Sequence, residues 1–306
     1  MNQMLNEAAD EVVGGMIAYK DESWHCVAGG CTECSSGCKN CWVPLYRARM
    51  CGMGITTESE RLAWQGSTGA VAIERMFDKL KTWTMKPRVI VVYFLGDLFH
   101  KCVSDALIIR VFKAMQDMPM HTFLVLSRRT SRMERFLLTH PELRASHIII
   151  GASIEEQRYV DERMPNLLRI AELGYETWVS CEPLLGPLDF SNIPMIDVDG
   201  TQYHADALTG EQWYGESRRP GMKDATDIKL SWVVTGSETV PKGSKMVARR
   251  PNIAWFRQLR DACATSDTPF FLQHINPEKD CRLDGVMHRD MRGIRPEGWW
   301  ATGNRK

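Results

Sequence analysis

A loop that carries four cysteines within eleven residues constrains this chain more than any other stretch. Two glycines precede the run and a third lies inside it; the thiols belong to Cys31, Cys34, Cys38 and Cys41. A segment rich in thiolate donors and poor in helix and strand formers suits wrapping around a small positive centre. We therefore predict a cofactor cradle here, with the rest of the chain folded around it.

Spacing alone leaves three chemistries open for this cysteine loop (residues 29–42). Zinc favours paired CxxC motifs, but only three residues separate the two pairs, where zinc ribbons place about a dozen or more. A redox dithiol is less suited, because no thioredoxin-like strand pattern precedes the loop. A site-differentiated [4Fe–4S] cluster needs three cysteines and leaves one iron open for a small ligand. We favour the cluster.

The composition of the chain limits the classes of protein and of binding partner that are compatible with the loop. The 306 residues are 44% hydrophobic and 25% charged, as in ordinary globular proteins, and the formal net charge is zero. Any nucleic-acid binding must therefore come from a local basic patch. The N-terminus reads as neither signal peptide nor membrane span, so we expect a cytoplasmic protein without a membrane partner. Clustered cysteines in that compartment bind metal more often than they form disulfides.

Apolar runs that alternate with helical patterns predict an α/β fold with a parallel sheet. The expected strands are residues 88–95, 121–126, 147–150, 177–180, 230–235 and 269–273, with a further short strand near residues 16–19. The expected helices are 43–53, 70–83, 104–118, 131–140, 155–173 and one capped by Asn252. We predict a capping box of Ser131 and Glu134, a break or kink at Pro165, and irregular structure over 55–68. Six repeats suit an open sheet or a barrel.

Polar residues follow every expected strand, and the carboxyl ends of parallel strands meet at one edge of a sheet. Charged groups gathered there cost desolvation energy, so packing alone does not explain them. The clusters are Gly96-Asp97 with His100, Ser127-Arg128-Arg129, Ser153 with Glu155, Cys181-Glu182, Ser237-Glu238 and Gln273-His274. We expect the functional site at this edge.

Residues 191–229 interrupt the strand–helix rhythm and are polar and loop-like. We treat the chain as one domain, 1–306, with 191–229 inserted on the rim of the site, either as a lid or as a passive excursion. The insertion contains Trp213, Tyr214, Arg218 and Arg219, which suit a phosphate backbone and an extruded base.

Several motifs together resemble a phage-encoded family, also found in bacterial genomes, that is labelled a domain of unknown function with radical S-adenosylmethionine (SAM) character. They are GCTECSSGCKNCW (30–42), GDLFH (96–100), LSRRTSRM (126–133), GASIEEQ (151–157), SCEPLLGPLD (180–189), WVVTGSE (232–238), WFRQLRDAC (255–263), PFFLQH (269–274) and LDG (283–285). The family usually has cysteines at the positions of Cys31, Cys38 and Cys41, whereas the superfamily spacing matches Cys34, Cys38 and Cys41. Both sets are present here, and Trp42 supplies the aromatic residue that follows.

This resemblance implies a radical-SAM-type partial (βα)6 barrel with an inserted loop segment, and a [4Fe–4S] cluster that binds and cleaves SAM. The resemblance also implies roles for residues of the predicted edge. Three loop cysteines would hold the cluster; Trp42, Asp97, His100, Arg128, Ser153, Glu155 and Glu238 would bind cofactor, and Cys181 and Glu182 would act catalytically. Gln273 is a candidate for substrate contact. For Cys181, a hydrogen-atom donor and a plain core cysteine are both open, with the core position favoured.

The implied activity is hydrogen abstraction from an unactivated C–H bond. For a phage-type family, we expect rearrangement or modification of a hypermodified thymine in DNA, with the base extruded from the duplex. The DNA backbone would meet Arg128, Arg129, Arg218, Arg219, Arg249 and Arg250, and the electron would come from a reductant such as flavodoxin or ferredoxin. A radical enzyme for a free nucleotide or small molecule, and a non-catalytic zinc-stabilised nucleic-acid-binding protein, are the alternatives.

Overall fold

The computed structural model describes residues 17–215, 226–240, 245–275 and 280–295. Its strands are β1 (Glu22–Trp24), β2 (Val27–Ala28), β3 (Val71–Ala72), β4 (Val89–Val92), β5 (Thr122–Ser127), β6 (Ile148–Ser153), β7 (Thr177–Cys181), β8 (Ile193–Ile196), β9 (Gln202–Ala205), β10 (Gln212–Trp213), β11 (Trp232–Thr235), β12 (Phe270–Leu272), β13 (Arg282–Leu283) and β14 (Val286–Met287). Its α-helices are α1 (Val43–Gly52), α2 (Glu58–Trp64), α3 (Glu74–Leu80), α4 (Asp105–Gln116), α5 (Thr130–Thr139), α6 (Gln157–Glu172) and α7 (Ile253–Thr265).

Seven strands form one parallel sheet in the order β1-β4-β5-β6-β7-β11-β12, and every pairing in it is parallel. Each of these seven strands lies beside the sheet strand that precedes it in the sequence, so the order across the sheet follows the sequence without a reversal. Right-handed crossovers in such a series place the helices on one face. The sheet therefore curls into a half barrel rather than an open doubly wound sheet.

Alternate residues of each strand face two separate apolar layers, as the pleat of a strand requires. Phe123 and Val179 belong to the large outer core, which also contains the helix residues Phe112, Leu167 and Phe256. The intervening strand residues form a second cluster on the concave face. That inner cluster includes Val91, Leu124, Ile149, Trp178, Trp232, Val234 and Phe271.

The open side of the half barrel, between β1 and β12, is covered by the two ends of the described chain. At the N-terminal end, the Ala18 N–H donates to Gln273 Oε1 at 3.0 Å, and Tyr19 packs into the inner aromatic cluster. At the C-terminal end, residue Arg289 bridges to Phe271 in antiparallel fashion, and Met291 and Ile294 join the same cluster. The floor of the concave face is thus apolar and largely aromatic.

The α/β fold and its parallel sheet are confirmed, and all six strands of the predicted repeat belong to the seven-stranded sheet. The seventh strand, β1, was not predicted. Residues 17–19 form no strand, and Met16 lies outside the described residues. Helix α2 lies in the stretch predicted as irregular, where Thr57 and Glu60 form a capping box. The prediction over 70–83 holds only in part, because β3 precedes α3.

The predicted capping box was wrong, and so was a break at Pro165. Helix α5 begins at Thr130 with Arg129 as the N-cap residue, and no side chain caps it, so Ser131 and Glu134 form no capping box. Helix α6 continues through Pro165 from Gln157 to Glu172, because tertiary packing of its buried face outweighs the lost backbone hydrogen bond. Residues Met164, Leu167 and Leu168 on that face are fully buried. The alternative prediction, a kink at Pro165, stays a prediction.

The insertion at 191–229 builds a three-stranded antiparallel sheet, β10-β9-β8, in place of a crossover helix between β7 and β11. It contacts α6, and Ile193, Met195 and Tyr203 extend the outer core. None of its described residues lines the cavity at the carboxyl ends of the strands. Arg218 and Arg219 lie outside the described residues, so the predicted rim contact of that part stays a prediction.

Among the helices within the described ranges, none is both long enough and apolar enough to cross a membrane.

Candidate active site

A cavity of about 310 Å³ opens at the carboxyl ends of the parallel strands. The strand-end clusters expected to meet there each contribute at least one lining residue, with Asp97, Arg128, Ser153, Glu182, Glu238 and Gln273 as examples. The cysteine loop supplies a further wall through Gly37, Asn40, Cys41 and Trp42. The fold thus brings residues as far apart in the sequence as Ile17 and Arg289 into one site.

Asp97 and Arg129 hold the first part of the cysteine loop. The Asp97 N–H donates to the Gly30 carbonyl at 2.7 Å, and Arg129 Nη1 lies 2.8 Å from Asp97 Oδ2. Arg129 Nη2 also donates to Thr32 Oγ1 at 2.9 Å, and that hydroxyl lies 3.1 Å from His100 Nε2. Burial and the nearby Arg129 lower the pKa of His100, so the imidazole is neutral at physiological pH.

Glu155, which is fully buried, holds the middle of the loop. One of its oxygens accepts hydrogen bonds from Ser35 Oγ at 2.7 Å and Arg128 Nε at 2.9 Å, and the other accepts from Arg163 Nη1 at 3.1 Å. Burial opposes ionisation, but Arg128 and Arg163 hold the Glu155 pKa below its ordinary value. A Cβ at Gly37 would lie 2.6 Å from Glu155 Oε1, so the loop backbone rests directly on this carboxylate.

Glu238 and Arg249 hold the end of the loop. Glu238 is buried, pairs with Arg249, and accepts a hydrogen bond from Asn40 Nδ2 at 2.9 Å. Arg249 Nη2 donates to the Ser36 carbonyl at 2.9 Å. Although burial opposes ionisation, the Arg249 hydrogen bonds lower the pKa of Glu238. The three carboxylate–arginine pairs, which we call the clamp (Asp97–Arg129, Glu155–Arg128 and Glu238–Arg249), hold the loop in place through protein contacts.

The loop thiols interact with one another in the clamped loop. A hydrogen bond from Cys34 lowers the pKa of Cys38 to about 4 and raises that of Cys34. Burial raises the pKa of Cys41, and the charges of Cys31 and Cys38 act in the same direction. Within the described ranges, no group of three or more His, Cys, Asp or Glu side chains has the arrangement of a metal site. The donor set itself fits a cluster: four thiols on one short loop, with Cys31 and Cys34 exposed.

The wall of the cavity opposite the loop is built around Glu182. This carboxyl group accepts hydrogen bonds from Tyr19 Oη at 3.1 Å and from Ser180 Oγ at 3.0 Å. Among the described residues it makes no ion pair. Burial raises its pKa to about 7, against the weaker opposing effects of the two hydroxyls and of Arg289. Glu182 therefore changes protonation state near neutral pH.

The structure separates the predicted site residues into groups. Trp42, Asp97, Arg128, Ser153, Glu182, Glu238 and Gln273 line the cavity. His100 contacts Thr32 of the loop but does not line the cavity. Both oxygens of Glu155 already accept hydrogen bonds, from Ser35, Arg128 and Arg163. Cys181 is fully buried in the outer core, where burial, with Cys263 nearby, raises its pKa. The structure thus gives no support to Cys181 as a catalytic thiol and favours the alternative of a core cysteine.

Tyr19 and Arg289 line the cavity and were not identified from the sequence. They lie in the two segments that cover the open side of the half barrel. No local motif marks either residue, because the residues they contact lie far away along the chain. Arg249 was predicted at the rim as a contact for a DNA backbone, but its pairing with Glu238 was not predicted.

Comparison with known proteins gives one family match. Residues 15–288 match the family described as "Protein of unknown function (DUF5131)". Neither the curated proteins nor the solved structures gave a match.

Proposed function

The chain belongs to the DUF5131 family, which specifies no activity, and from the site we propose that it is a radical SAM enzyme. One observation carries the proposal. The four-cysteine loop lies across the carboxyl-terminal mouth of a parallel half barrel, and its Cys41 and Trp42 line the cavity there. A cluster bound by this loop would adjoin the space in which a small molecule binds.

Three of the four thiols would hold a [4Fe–4S] cluster: Cys38, Cys41 and either Cys31 or Cys34. When bound, the cluster supplies one electron that cleaves SAM and leaves a carbon radical able to remove a hydrogen atom from a C–H bond. Arg128 supports this assignment: although burial opposes its charge, Glu155 and then the thiolates of Cys38 and Cys41 raise the pKa of its guanidinium. Its charge favours the thiolate forms, which are the forms that ligate metal.

The chain's own residues hold the loop and shape the cavity. The clamp fixes the loop through contacts at Thr32, Ser35, Ser36 and Asn40, so the segment that carries the thiols is held at the mouth of the cavity by protein contacts alone. Of the predicted SAM contacts, Trp42, Asp97, Arg128 and Ser153 adjoin the cavity and remain candidates. Ser153 fits a hydroxyl-binding role better than Glu155, whose two oxygens already accept hydrogen bonds.

For the substrate we propose a modified thymine base in DNA, with a free nucleotide or small molecule as the alternative. A cavity of about 310 Å³ is near the lower end of ligand pockets and suits one extruded base rather than a duplex. Arg128, Arg129 and Arg249 each pair with a carboxylate of the clamp, so they are less available to a phosphate backbone than the sequence suggested. The proposed electron source is a flavodoxin- or ferredoxin-type reductant.

The test is metal and product analysis of protein purified and reconstituted without oxygen. We expect about four irons and four sulfides per chain, and 5′-deoxyadenosine after addition of SAM and dithionite. Both are lost in the Cys38→Ala/Cys41→Ala variant and retained in Cys51→Ala, which changes a half-buried cysteine outside the loop. Zinc without deoxyadenosine would contradict the radical proposal and favour the zinc-stabilised nucleic-acid-binding protein.

The salt dependence of binding separates the two substrate classes. Binding to modified DNA releases counterions, so its affinity falls steeply with salt concentration, whereas that of a free nucleoside changes little. A flat salt response for duplex DNA together with tight nucleoside binding would contradict the DNA proposal.

A further inference from the structure

Tyr19 is a cavity residue to which neither the clamp nor the proposed cluster assigns a role. Its side chain is 3% exposed, and its hydroxyl donates to Glu182 Oε2 at 3.1 Å. Both residues line the cavity. A phenylalanine would fill the same space, so the hydroxyl is the part of Tyr19 that packing does not require.

The surroundings of Tyr19 suit one-electron chemistry. Its ring makes edge contacts with Trp178, Trp232 and Phe271, at centroid distances of 6.1, 5.4 and 5.6 Å. The two indole rings also lie 5.4 Å from each other. A phenol that loses an electron must also lose its proton to become a neutral radical, and Glu182 lies within hydrogen-bond distance to accept that proton. When the phenol instead gives up a hydrogen atom, its restoration takes one electron and one proton, and protonated Glu182 can supply the proton. The site therefore combines a hydrogen-atom source, a group that accepts and donates protons, and an oxidisable aromatic floor.

We infer that Tyr19 is a hydrogen-atom donor to a carbon-centred radical formed in this cavity, with Glu182 managing the proton of the phenol. The inference rests on the proposed function for the origin of that radical. It gives the cavity the donor that was predicted at Cys181, whose thiol lies instead in the outer core.

The proposed hydrogen transfer takes place in two stages, loss of a hydrogen atom from Tyr19 and restoration of its phenol. The O–H bond of Tyr19 breaks homolytically, a C–H bond forms on the substrate, and a neutral tyrosyl radical remains. One electron from a flavin or iron–sulfur reductant and one proton from the Glu182 carboxylic acid then restore the phenol. The Glu182 carboxylate takes up a proton from water. When Glu182 is protonated, it can donate to the phenol oxygen and leave the phenol hydrogen free to face the substrate.

The first test needs neither cluster nor SAM. Photo-oxidation of the purified protein by a ruthenium tris-bipyridine complex and an electron acceptor, followed by freezing, should give a tyrosyl signal in electron paramagnetic resonance. We expect Tyr19→Phe to lose most of that signal and Glu182→Gln to reduce it. The matched control is Tyr203→Phe, because Tyr203 also donates to a carboxylate, Glu172 at 3.3 Å, but belongs to the insertion. A signal of equal size in wild type and Tyr19→Phe would overturn the inference.

The second test uses the reconstituted enzyme with SAM and dithionite in D2O, without substrate. Deoxyadenosine that acquires its hydrogen from the exchangeable phenol carries deuterium. We expect deuterium incorporation to fall strongly in Tyr19→Phe and to persist in Tyr203→Phe, with folding checked by circular dichroism. Deoxyadenosine with unchanged deuterium in Tyr19→Phe would overturn the inference and leave the proposed function standing. Absence of deoxyadenosine from wild type would overturn the proposed function, and with it the role of Tyr19.

Discussion

The two walls of the cavity use buried carboxylates in opposite ways. On the wall of the cysteine loop, Glu155 and Glu238 face arginines, and their pKa values are lowered. On the wall built around Glu182, this carboxyl group accepts hydrogen bonds from two hydroxyls and, among the described residues, makes no ion pair, and burial raises its pKa to about 7. The same residue type is therefore a fixed charge that positions the loop on one wall and a group able to exchange protons on the other.

The difference follows from the neighbours of each carboxylate. A buried carboxylate without a cation gains too little from hydroxyl hydrogen bonds to offset the loss of hydration, so its neutral form is favoured. A guanidinium at hydrogen-bond distance reverses that balance and holds the side chain in one geometry. Burial alone thus does not identify a reactive group; the partners do.

The largest expected effect comes from breaking the clamp at Glu155. In Glu155→Gln, Arg163, which is only 1% exposed, keeps its charge in the protein interior without a counter-charge. We expect a loss of about 3 to 5 kcal/mol in the free energy of unfolding, measured by urea denaturation. The control is Glu162→Gln, an exposed position next to Arg163 on helix α6, which should unfold like wild type. Equal stability of both variants would show that the clamp does not hold this wall.

The second prediction concerns the pH dependence that Glu182 gives to stability. Because its pKa is raised from 4.5 to about 7, the folded protein binds a proton more tightly than the unfolded chain. This contribution is fully present below about pH 4.5, falls as the pH rises toward 7, and is lost above it. It amounts to about 3 kcal/mol.

Urea unfolding across this pH range should therefore show wild type losing stability relative to Glu182→Gln as the pH rises. Tyr19, Ser180 and Arg289, the groups that act on Glu182, are unchanged in that comparison. Parallel pH profiles for the two proteins would mean that the pKa of Glu182 is the same in the folded and the unfolded protein, and the contrast between the walls would fail.

A smaller effect is expected where the loop backbone rests on the clamp. Gly37→Ala brings a Cβ to 2.6 Å from Glu155 Oε1, and the arginines restrict movement of that carboxylate. We expect a loss of about 1 to 3 kcal/mol and faster reaction of the loop thiols with a thiol reagent. Gly52→Ala is the control, because no atom lies within 4 Å of its added Cβ. If Gly37→Ala matched Gly52→Ala in both measurements, the loop would not be seated on Glu155.

The smallest predicted effect is that of Asn40→Ala, which removes one donor to Glu238 while Arg249 remains. We expect about 1 kcal/mol in the same unfolding assay. A loss as large as that of Glu155→Gln would mean that Asn40, rather than the arginine pair, holds this end of the loop.

The sequence predicted those parts of the fold that depend on local pattern. The long apolar runs around Val91 and Leu124 identified central strands, because strands buried on both faces are apolar throughout. The three residues of β1 carry no such run, so that strand was missed. Helix α2 was missed although Thr57 and Glu60 match the sequence pattern of a capping box.

The candidate site was predictable only to the level of its edge. The polar strand ends predicted where the site lies, but not which of its residues pair. The hydrogen bond between Ser35 and Glu155 and the ion pair between Glu238 and Arg249 are seen only in the folded chain. Cys181 was a candidate for the site because it is a thiol at the end of a strand, with a core position favoured, and neighbouring residues of a strand point to opposite faces, which places Cys181 in the outer core. Tyr19 could be assigned to the site only from the structure, which places its hydroxyl beside Glu182.

We propose that the clamped loop carries a cluster with one iron open to SAM in the adjoining cavity. The electron paramagnetic resonance spectrum of the reconstituted, dithionite-reduced protein, recorded before and after addition of SAM, tests this proposal. We expect the spectrum of a reduced [4Fe–4S] cluster that changes when SAM is added, and its loss in Cys38→Ala/Cys41→Ala. A colourless protein without such a spectrum, or a cluster spectrum that SAM leaves unchanged, would contradict it.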